Sequence, residues 1–549
     1  MTAESLMQKI FEGMLAKGFF DSFLPIPDTQ KVEQVVDAYR QLLQKFPPET
    51  LESLGCLPQD MLKEMASIGL FGLSIPAGYG GLGFTTSETM RAVEGMVGLD
   101  MAAALASLAH LAIGVKGIEL FGNEAQKQKY LVPAASGELI FSYALTEPRI
   151  GSDAQHIETR AEWSPDGSHY LLNGQKTYIT NANYAGALTV FAQMDPTRPG
   201  FMGAFIVETG WDGVKIGKDM PKMGLKASST AAIQFRDVRV PGENLLGAPG
   251  DGFKIAMTIL NFGRLGLGAA SVAMMNRSLK DMRKRSSSRV QFGAPIKDFP
   301  LIQEKLAKAR VNRFACAAIN DFTAILLQQH PKSNLAMETS HCKLFGTTRA
   351  WDTLYDAFQV AGGSAYIATN PYEKRLRDFR VATVFEGTTE IHSIYPALAA
   401  LRTLSKQVNE MKERKSFFLR FFLKNLFSRI EWPLKFKDKT LNKASRLARA
   451  NADTIRRMLL LGLVIYRKKA PEKQFLLRRI TTLSLYLYGL LAIMAKLAHD
   501  EQVGLLKKED LILLQYFMEE AREVRKNNRR FFDSRKERLT AKITQALFQ

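Results

Sequence analysis

The hexapeptide Phe385-Glu386-Gly387-Thr388-Thr389-Glu390 sets a carboxylate between an aromatic ring and a glycine. In apolar surroundings an unpaired Glu386 has its pKa lifted by desolvation from about 4.3 toward neutrality, where a general base works. The same acid suits a helix start, at the positive end of the dipole and ahead of capping hydroxyls. On the hexapeptide alone both readings stand. Upstream, Tyr143-Ala144-Leu145-Thr146-Glu147-Pro148 runs into Gly151-Ser152-Asp153, a turn rich in hydroxyls and glycine. Such a turn can present N–H and O–H groups to the polar edge of a ring system, or be no more than a turn. Tyr178-Ile179-Thr180 puts an aromatic ring and a hydroxyl on one face of a strand-like run, suited to a planar cofactor or to a core.

Arg264 in ILNFGRLGLG, one turn after Asn261, and Arg289 with Gln291 in SRVQFGAPI lie beside glycines and aromatics. Arginine clamps phosphate or pyrophosphate with two parallel donors, although either residue singly fits a solvated surface. Gln359-Val360-Ala361-Gly362-Gly363 places two glycines where a helix must end, which lets backbone approach a ligand closely. Cys56, Cys316 and Cys342 are widely spaced and match no disulfide or metal-ligand pattern, so no metal site is expected.

These residues need elements to hold them. A chain of 549 residues exceeds one ordinary core and predicts about two to four units. Residues 1–141 read as a helical domain, with helical spacing over 59–70 and 124–135 and Pro/Gly breaks at 76–83. Over 142–250, runs such as HYLLNGQKTYIT, ALTVFAQM and TAAIQFRDVRV alternate or are β-branched, parted by Asn-Gly, Pro-Gly and Asp-Gly turns. They predict an antiparallel β domain. Helical periodicity returns over 251–400 as a four-helix bundle, notably at 255–284 and 301–328. A basic helical extension, 401–549, follows, with helices expected near 402–430, 440–466, 472–499 and 506–548 and a break at 431–439. The fold class is α+β: helical domain, β domain, helical bundle and an extra helical domain.

The net charge of +20 sits almost wholly in that last part, where 34 Lys and Arg face 15 Asp and Glu. A partner of acidic character is expected there. Within 411–430, Phe417, Phe418, Phe421, Phe422 and Phe427 interleave with Lys412, Arg414, Lys415, Arg420, Lys424 and Arg429. The segment is too short and charged to span a bilayer; it suits a helix lying on an anionic membrane, or a core helix of the extension. No run of eighteen uncharged apolar residues occurs, so no bilayer span is predicted. The N-terminus lacks a targeting pattern, which reads as a bacterial-type cytoplasm or as a mature form already trimmed; with the membrane reading of 411–430, the expected place is the cytoplasm or the inner face of its membrane.

The order and spacing of these segments resemble the acyl-CoA dehydrogenase family from about Leu62 to Ala400. IPAGYGGLG (75–83), MGLKASSTAAIQFRDVRVP (223–241), LIQEKLA (301–307) and RLRDFRVATVFEGTTEI (375–391) carry the likeness. The very-long-chain branch is most similar: it shares Asn261 where shorter-chain members usually have Asp, Arg289-x-Gln291-Phe292-Gly293, Phe385 before the acid, and a C-terminal extension. The resemblance implies FAD between the β domain and the bundle. Tyr143, Leu145, Thr146, Gly151, Ser152, Tyr178, Ile179 and Thr180 would surround the isoalloxazine, with Thr388 and Glu390 at flavin-contacting positions. Arg289, Gln291, Gln359, Gly362 and Gly363 would hold the pyrophosphate–adenosine end, partly across a homodimer interface. It further implies Glu386 as the base for the α-proton of a long-chain acyl-CoA, while the β-hydrogen leaves as hydride to the flavin. The Glu386 N–H and a ribityl hydroxyl would polarise the thioester carbonyl. Ser152, Asn261, Arg264 and Gly387 would contact substrate, and electron-transfer flavoprotein would take the electrons.

Ala102, Ala103, Ala104, Ala106, Ser107 and Ala109 fall on the family's acyl-lining helix; small side chains there leave room for a long tail or simply pack tightly. In that branch the extension is the membrane-binding part, which favours the membrane reading of 411–430. This sequence departs from the family pattern at Arg149 and Ile150, at Tyr178 in place of Trp, and at Ala182 in place of Gly. Those changes put the substrate, the flavin potential and the electron acceptor in doubt. Three other functions fit the same fold: a DNA-binding flavoprotein, an assembly factor and an acyl-CoA oxidase. Interleaved Phe and Lys argue against nucleic acid.

Overall fold

A computed structural model describes residues 5–15, 30–411 and 426–548. It opens with helices α1 (Leu6–Phe11), α2 (Gln30–Lys45), α3 (Pro48–Leu54), α4 (Gln59–Ser67), α5 (Thr86–Leu99), α6 (Met101–Ala109), α7 (Lys116–Phe121) and α8 (Glu124–Ser136). Reciprocal side-chain caps fix where two of them begin, Thr85 with Glu88 at α5 and Asn123 with Gln126 at α8. Between α6 and α7 the helix widens into a π turn, His110–Gly114. His110 braces it: Nε2–H donates to the Ala134 carbonyl at 3.2 Å, and the Phe141 N–H donates to Nδ1 at 2.9 Å. Burial pushes its pKa down to about 4, which keeps the ring in the neutral form both bonds require.

Eight strands follow: β1 (Phe141–Ala144), β2 (Arg160–Trp163), β3 (His169–Thr180), β4 (Ala187–Gln193), β5 (Met202–Glu208), β6 (Val214–Ile216), β7 (Thr230–Pro241) and β8 (Leu245–Gly250). The sheet runs β6-β7-β3-β2-β4-β5-β8, with β1 joining at β4. It is mixed rather than wholly antiparallel. β1 lies parallel to β4, with Phe141 opposite Ala187, and β2 meets β4 in parallel at Arg160 and Gln193. β1 enters the sheet from α8 without a hairpin, so no tight turn dictates an antiparallel pair.

The bundle comprises α9 (Gly252–Ser288), α10 (Pro300–Gln329), α11 (Ala336–Ala361), α12 (Pro371–Arg380) and α13 (Thr389–Met411). The extension adds α14 (Lys439–Tyr466), α15 (Gln474–Gln502), α16 (Lys508–Asn528) and α17 (Arg535–Leu547). The single helix expected over 506–548 is thus two. Buried Arg479 binds Glu537 at 2.5 Å, the Phe531 carbonyl at 3.2 Å and Asp533 at 3.4 Å, which turns the chain, and a Ser534–Glu537 capping box starts α17.

Helix α15 lies on the bundle. Its Ser484 meets His341 of α11 at 2.7 Å, and its Tyr488 hydroxyl meets Thr323 of α10 at 2.8 Å. By length and composition three helical runs among the described residues, Met101–Phe121, α9 and α15, are apolar enough to cross a membrane. Their apolar windows are 78, 78 and 89% buried inside the fold, so those faces cover protein. Of the aromatic-basic segment 411–430, residues 412–425 lie outside the described residues.

Candidate active site

Glu386 occupies the loop that leads into α13, in left-handed backbone at φ +57°, and Gly387 follows at φ +96°. A left-handed residue other than glycine costs about 1 kcal/mol or more, so the surroundings must hold it. They do so through its carbonyls. The His392 Nε2–H donates to the Glu386 carbonyl at 2.9 Å, Arg264 Nε approaches the same oxygen at 3.5 Å, and Lys343 donates to the Gly387 carbonyl. Gly387 is required there, because a Cβ would stand 2.7 Å from His392 Nε2.

The carboxyl itself is left free. Oε2 is buried without a hydrogen-bond partner, and a Cβ on Gly263 of α9 would stand 3.0 Å from it. Burial pushes the Glu386 pKa up to about 7, against the pull of Arg264 and Lys343. The side chain is surrounded by protein, and the exposure it keeps faces a cavity. It is not a helix-start acid: α13 begins at Thr389, and the acid of its first turn is Glu390.

That cavity, about 280 Å³, runs from Glu386 and Thr180 between α5, the α6–α7 run, α9 and the end of α10. Met90, Leu105, Leu108, Ile113, Phe262 and Leu267 make its wall mainly apolar. Lys116, paired with Glu119 at 2.5 Å, adds a charged patch. The small-residue stripe of α6 does something other than line it. Of those six residues only Ala109 reaches the wall; Ala102, Ala103, Ala104, Ala106 and Ser107 are packed away. The Ala106 carbonyl accepts from Asn181 at 2.7 Å, and Ser107 donates to the Leu70 carbonyl, so the stripe serves close packing.

Asn261 also departs from expectation. It is 2% exposed, its Oδ1 accepts from Thr339 at 2.8 Å, and it lies off the cavity wall, facing α11 rather than a substrate. Arg264 is buried and close enough to Glu386 and Tyr143 to act on both electrostatically.

The residues expected around a flavin fall into two groups. In the first, the Tyr143 hydroxyl donates to the Ala256 carbonyl at 3.3 Å, and the Thr146 carbonyl accepts from the Thr177 N–H at 2.9 Å. This loop is clamped from beneath by a buried ion pair. Lys176 Nζ lies 2.8 Å from Glu147 and donates to the Leu145 carbonyl at 3.0 Å, while Glu147 accepts from the Glu158 and Thr159 N–H groups. A bulge in β3 between Lys176 and Ile179 sets Tyr178 at φ +57° and 67% exposed. Ile179 points into the sheet core, so only its backbone can reach a ligand, whereas Thr180 lines the cavity. Gly151 and Ser152 are exposed. Thr388 Oγ1 accepts from the Ile391 N–H at 3.4 Å as a cap of α13, and Glu390 is exposed.

The second group lies off the cavity wall. Arg289 and Gln291 sit on an exposed hairpin, β9 (Val290–Gln291) and β10 (Ala294–Pro295), after α9. Gln359, Gly362 and Gly363 are exposed at the end of α11. Arg285 donates to the Ala361 carbonyl at 3.3 Å, so both sets share one end of the bundle. Sequence reasoning missed Lys176, Gly263, Lys343 and His392. Only Gly263, inside Phe-Gly-Arg, carried a local signal; the others act through contacts that folding creates.

Three family models match in order: the acyl-CoA dehydrogenase N-terminal domain at 29–138, the middle domain at 142–238 and the C-terminal domain at 250–396. The human protein "Very long-chain specific acyl-CoA dehydrogenase, mitochondrial" is 32% identical over 536 residues, 91% of this chain and 80% of its own. An acyl-CoA dehydrogenase from Bacillus anthracis solved with FAD superposes with a TM-score of 0.82 at 28% identity, covering 98% of this chain and 95% of that one. Butyryl-CoA dehydrogenase from Megasphaera elsdenii reaches 0.65 at 31% identity, with all of that chain matched but only 69% of this one. The difference in coverage shows that the extension is an addition to a shared frame, and that some relatives carry it. With three domains matched in order over more than half the chain, and the extension shared with a long relative, the chain belongs to the acyl-CoA dehydrogenase family, oxidoreductases that act on acyl-CoA.

Proposed function

We propose that the protein is an FAD-dependent α,β-dehydrogenase of long-chain acyl-CoA in which Glu386 removes the α-proton. The observation that carries this reading is the Glu386 carboxyl, unpartnered and raised to a pKa of about 7, at the wall of a mainly apolar cavity. A base must be ionised at working pH yet bind its proton well enough to take one from carbon, and this poise meets both demands. The residues present fit a flavin: Tyr178 offers an exposed ring, Thr180 a hydroxyl at the cavity, and a Cβ on Gly151, Gly362 or Gly363 would meet open space. When bound, FAD accepts the β-hydrogen as hydride. Tyr143, Leu145, Thr146, Ser152 and Thr180 would orient its ring, and Arg289, Gln291 and Gln359 would hold its phosphate–adenosine end. Anaerobic bleaching of the flavin by palmitoyl-CoA tests the reading; holoenzyme that stays oxidised would overturn it. Rapid oxygen consumption with palmitoyl-CoA would instead favour an oxidase, and failure to reduce electron-transfer flavoprotein would remove that acceptor.

Long-chain preference is supported by the cavity beyond Ala109 and by the very-long-chain relative. Gly266 lines the cavity, and a Cβ there would meet no protein atom within 4 Å. Gly266→Phe is therefore expected to place its ring in the tail space. Its kcat/KM should fall on the order of tenfold or more for palmitoyl-CoA and stay near wild type for butyryl-CoA. Equal losses on both substrates would show that the tail takes another path.

A homodimer is supported by the exposed apolar side chains at the end of the bundle that carries the second group: Phe292 is 96% exposed, Tyr366 80% and Leu301 73%. Light scattering that reports a monomer would count against it. Association with a membrane is supported among the described residues by α17. Its Leu539, Ile543 and Leu547 form an exposed stripe, and Arg535, Lys536 and Lys542 flank it. Glu537 is turned inward to Arg479, so the outer face is basic and apolar together. Reversing the charge of those three residues should weaken binding to phosphatidylserine vesicles at least about tenfold. Unchanged binding would exclude this face.

A further inference from the structure

We propose that His392 is a positioning residue for the reaction, fixing the left-handed Glu386 through its backbone so that the carboxyl stays directed at the cavity. The inference rests on the reading of Glu386 as the base. His392 begins the second turn of α13 and is 1% exposed. Its two ring nitrogens have distinct partners. Nδ1 lies 2.7 Å from Ser340 Oγ of α11, and Nε2 lies 2.9 Å from the Glu386 carbonyl oxygen. A carbonyl only accepts, so Nε2 must carry the proton; Nδ1 is then the acceptor and the Ser340 hydroxyl donates to it. The Glu386 carbonyl thus fixes the tautomer, and the Ser340 hydroxyl holds the ring from the other side by donating to Nδ1.

The charged groups around the ring push the same way. Burial pushes the His392 pKa well below the ordinary value, Arg264 and Lys343 add to that push, and the ring stays neutral. A neutral ring beside Glu386 does not compete with the substrate for the carboxylate. The hydrogen bond instead reaches the backbone, where it opposes the relaxation that φ +57° invites. Arg264 is the other donor to that carbonyl, at a longer 3.5 Å, and Lys343 holds the next one along. Of the two contacts to the Glu386 carbonyl, the one from His392 is the shorter.

The side chain of glutamine carries an N–H the same number of bonds from its Cα as histidine Nε2, whereas phenylalanine keeps the ring shape without a donor. Holoenzyme of His392→Phe, His392→Gln and Ser340→Ala is compared with wild type and Glu386→Gln by stopped-flow flavin reduction under saturating palmitoyl-CoA. Acyl-CoA affinity is read from spectral titration. The expected result is a reduction rate lowered on the order of 10- to 100-fold in His392→Phe with affinity changed less than about threefold, as misplacing a reacting group by a fraction of an ångström does. His392→Gln should recover most of the rate, and Ser340→Ala should lose about threefold to tenfold. Wild-type rate in His392→Phe, or a His392→Gln as slow as His392→Phe, would overturn the proposal. If His392→Phe does not fold, a Ser340→Ala enzyme with full rate overturns it alone. Wild-type rate in Glu386→Gln would sink the reading of Glu386 as base, a different failure with a different signature.

Discussion

Glu386→Gln is expected to lower flavin reduction by palmitoyl-CoA on the order of 10⁴-fold, with acyl-CoA binding retained. Glutamine keeps the size of the side chain and its place against the Gly263 backbone, but it cannot take a proton. In the wild type, kcat/KM should rise with pH as Glu386 ionises around about 7. Lys343, whose own pKa burial pushes down to about 8, loses charge above that pH and withdraws part of the pull that favours the carboxylate.

The same poise carries a stability consequence. The folded pKa of Glu386 lies above the ordinary 4.5, so the folded protein binds this proton more tightly than the unfolded chain. Its contribution is most favourable below about 4.5 and is lost as pH climbs through about 7. At pH 8 the ionised Glu386 therefore destabilises the fold by up to about 3 kcal/mol, less where water in the cavity solvates it. Glu386→Gln removes that penalty. The inactive variant should melt higher than wild type at pH 8, with the gap closing toward pH 5. A Gln variant less stable at every pH would mean that the carboxylate is solvated and not strained.

Lys176→Met should have the largest effect away from Glu386. Lys176 and Glu147 are both buried, 2.8 Å apart, beneath the Leu145–Thr146 loop. Removing the lysine leaves a buried carboxylate facing only backbone N–H groups, at about 3–5 kcal/mol. The β domain should lose stability by that order in denaturant, and the purified protein should hold less FAD per chain. The double variant Lys176→Met/Glu147→Leu separates charge from packing: with both charges gone, much of the stability should return. Loss of stability without loss of flavin would show that the clamp serves the sheet and not the cofactor loop.

Much of this was legible along the chain because it depends on short-range rules. Strands β3 and β7 announced themselves by alternation, β4 and β5 as short apolar runs, with Pro-Gly and Asp-Gly at turns, and α9 and α10 by helical spacing; Asn173-Gly174, expected as a turn, instead lies inside β3 beside a register shift. The parallel placement of β1 was not, since a strand's partner is chosen by where α8 delivers it and not by its own residues. The break between α16 and α17 depended on Arg479, a residue of another helix. The alanines of α6 looked the same for lining a cavity as for packing, because smallness serves both, and only the neighbours Leu70 and Asn181 decided it.

By itself the sequence determined which residue types stood ready: a carboxylate before a glycine, hydroxyls at a β turn, arginines beside glycines, and the family they resemble. Read alone, the hexapeptide around Glu386 favoured a helix-start acid over a base. The tertiary structure removed the first reading by starting α13 after the acid, and it supports the second by setting the carboxyl against Gly263 with no hydrogen-bond partner. The pKa of a carboxyl is set by desolvation and nearby charge, and both come from residues distant in the chain: Arg264, Lys343 and the cavity wall.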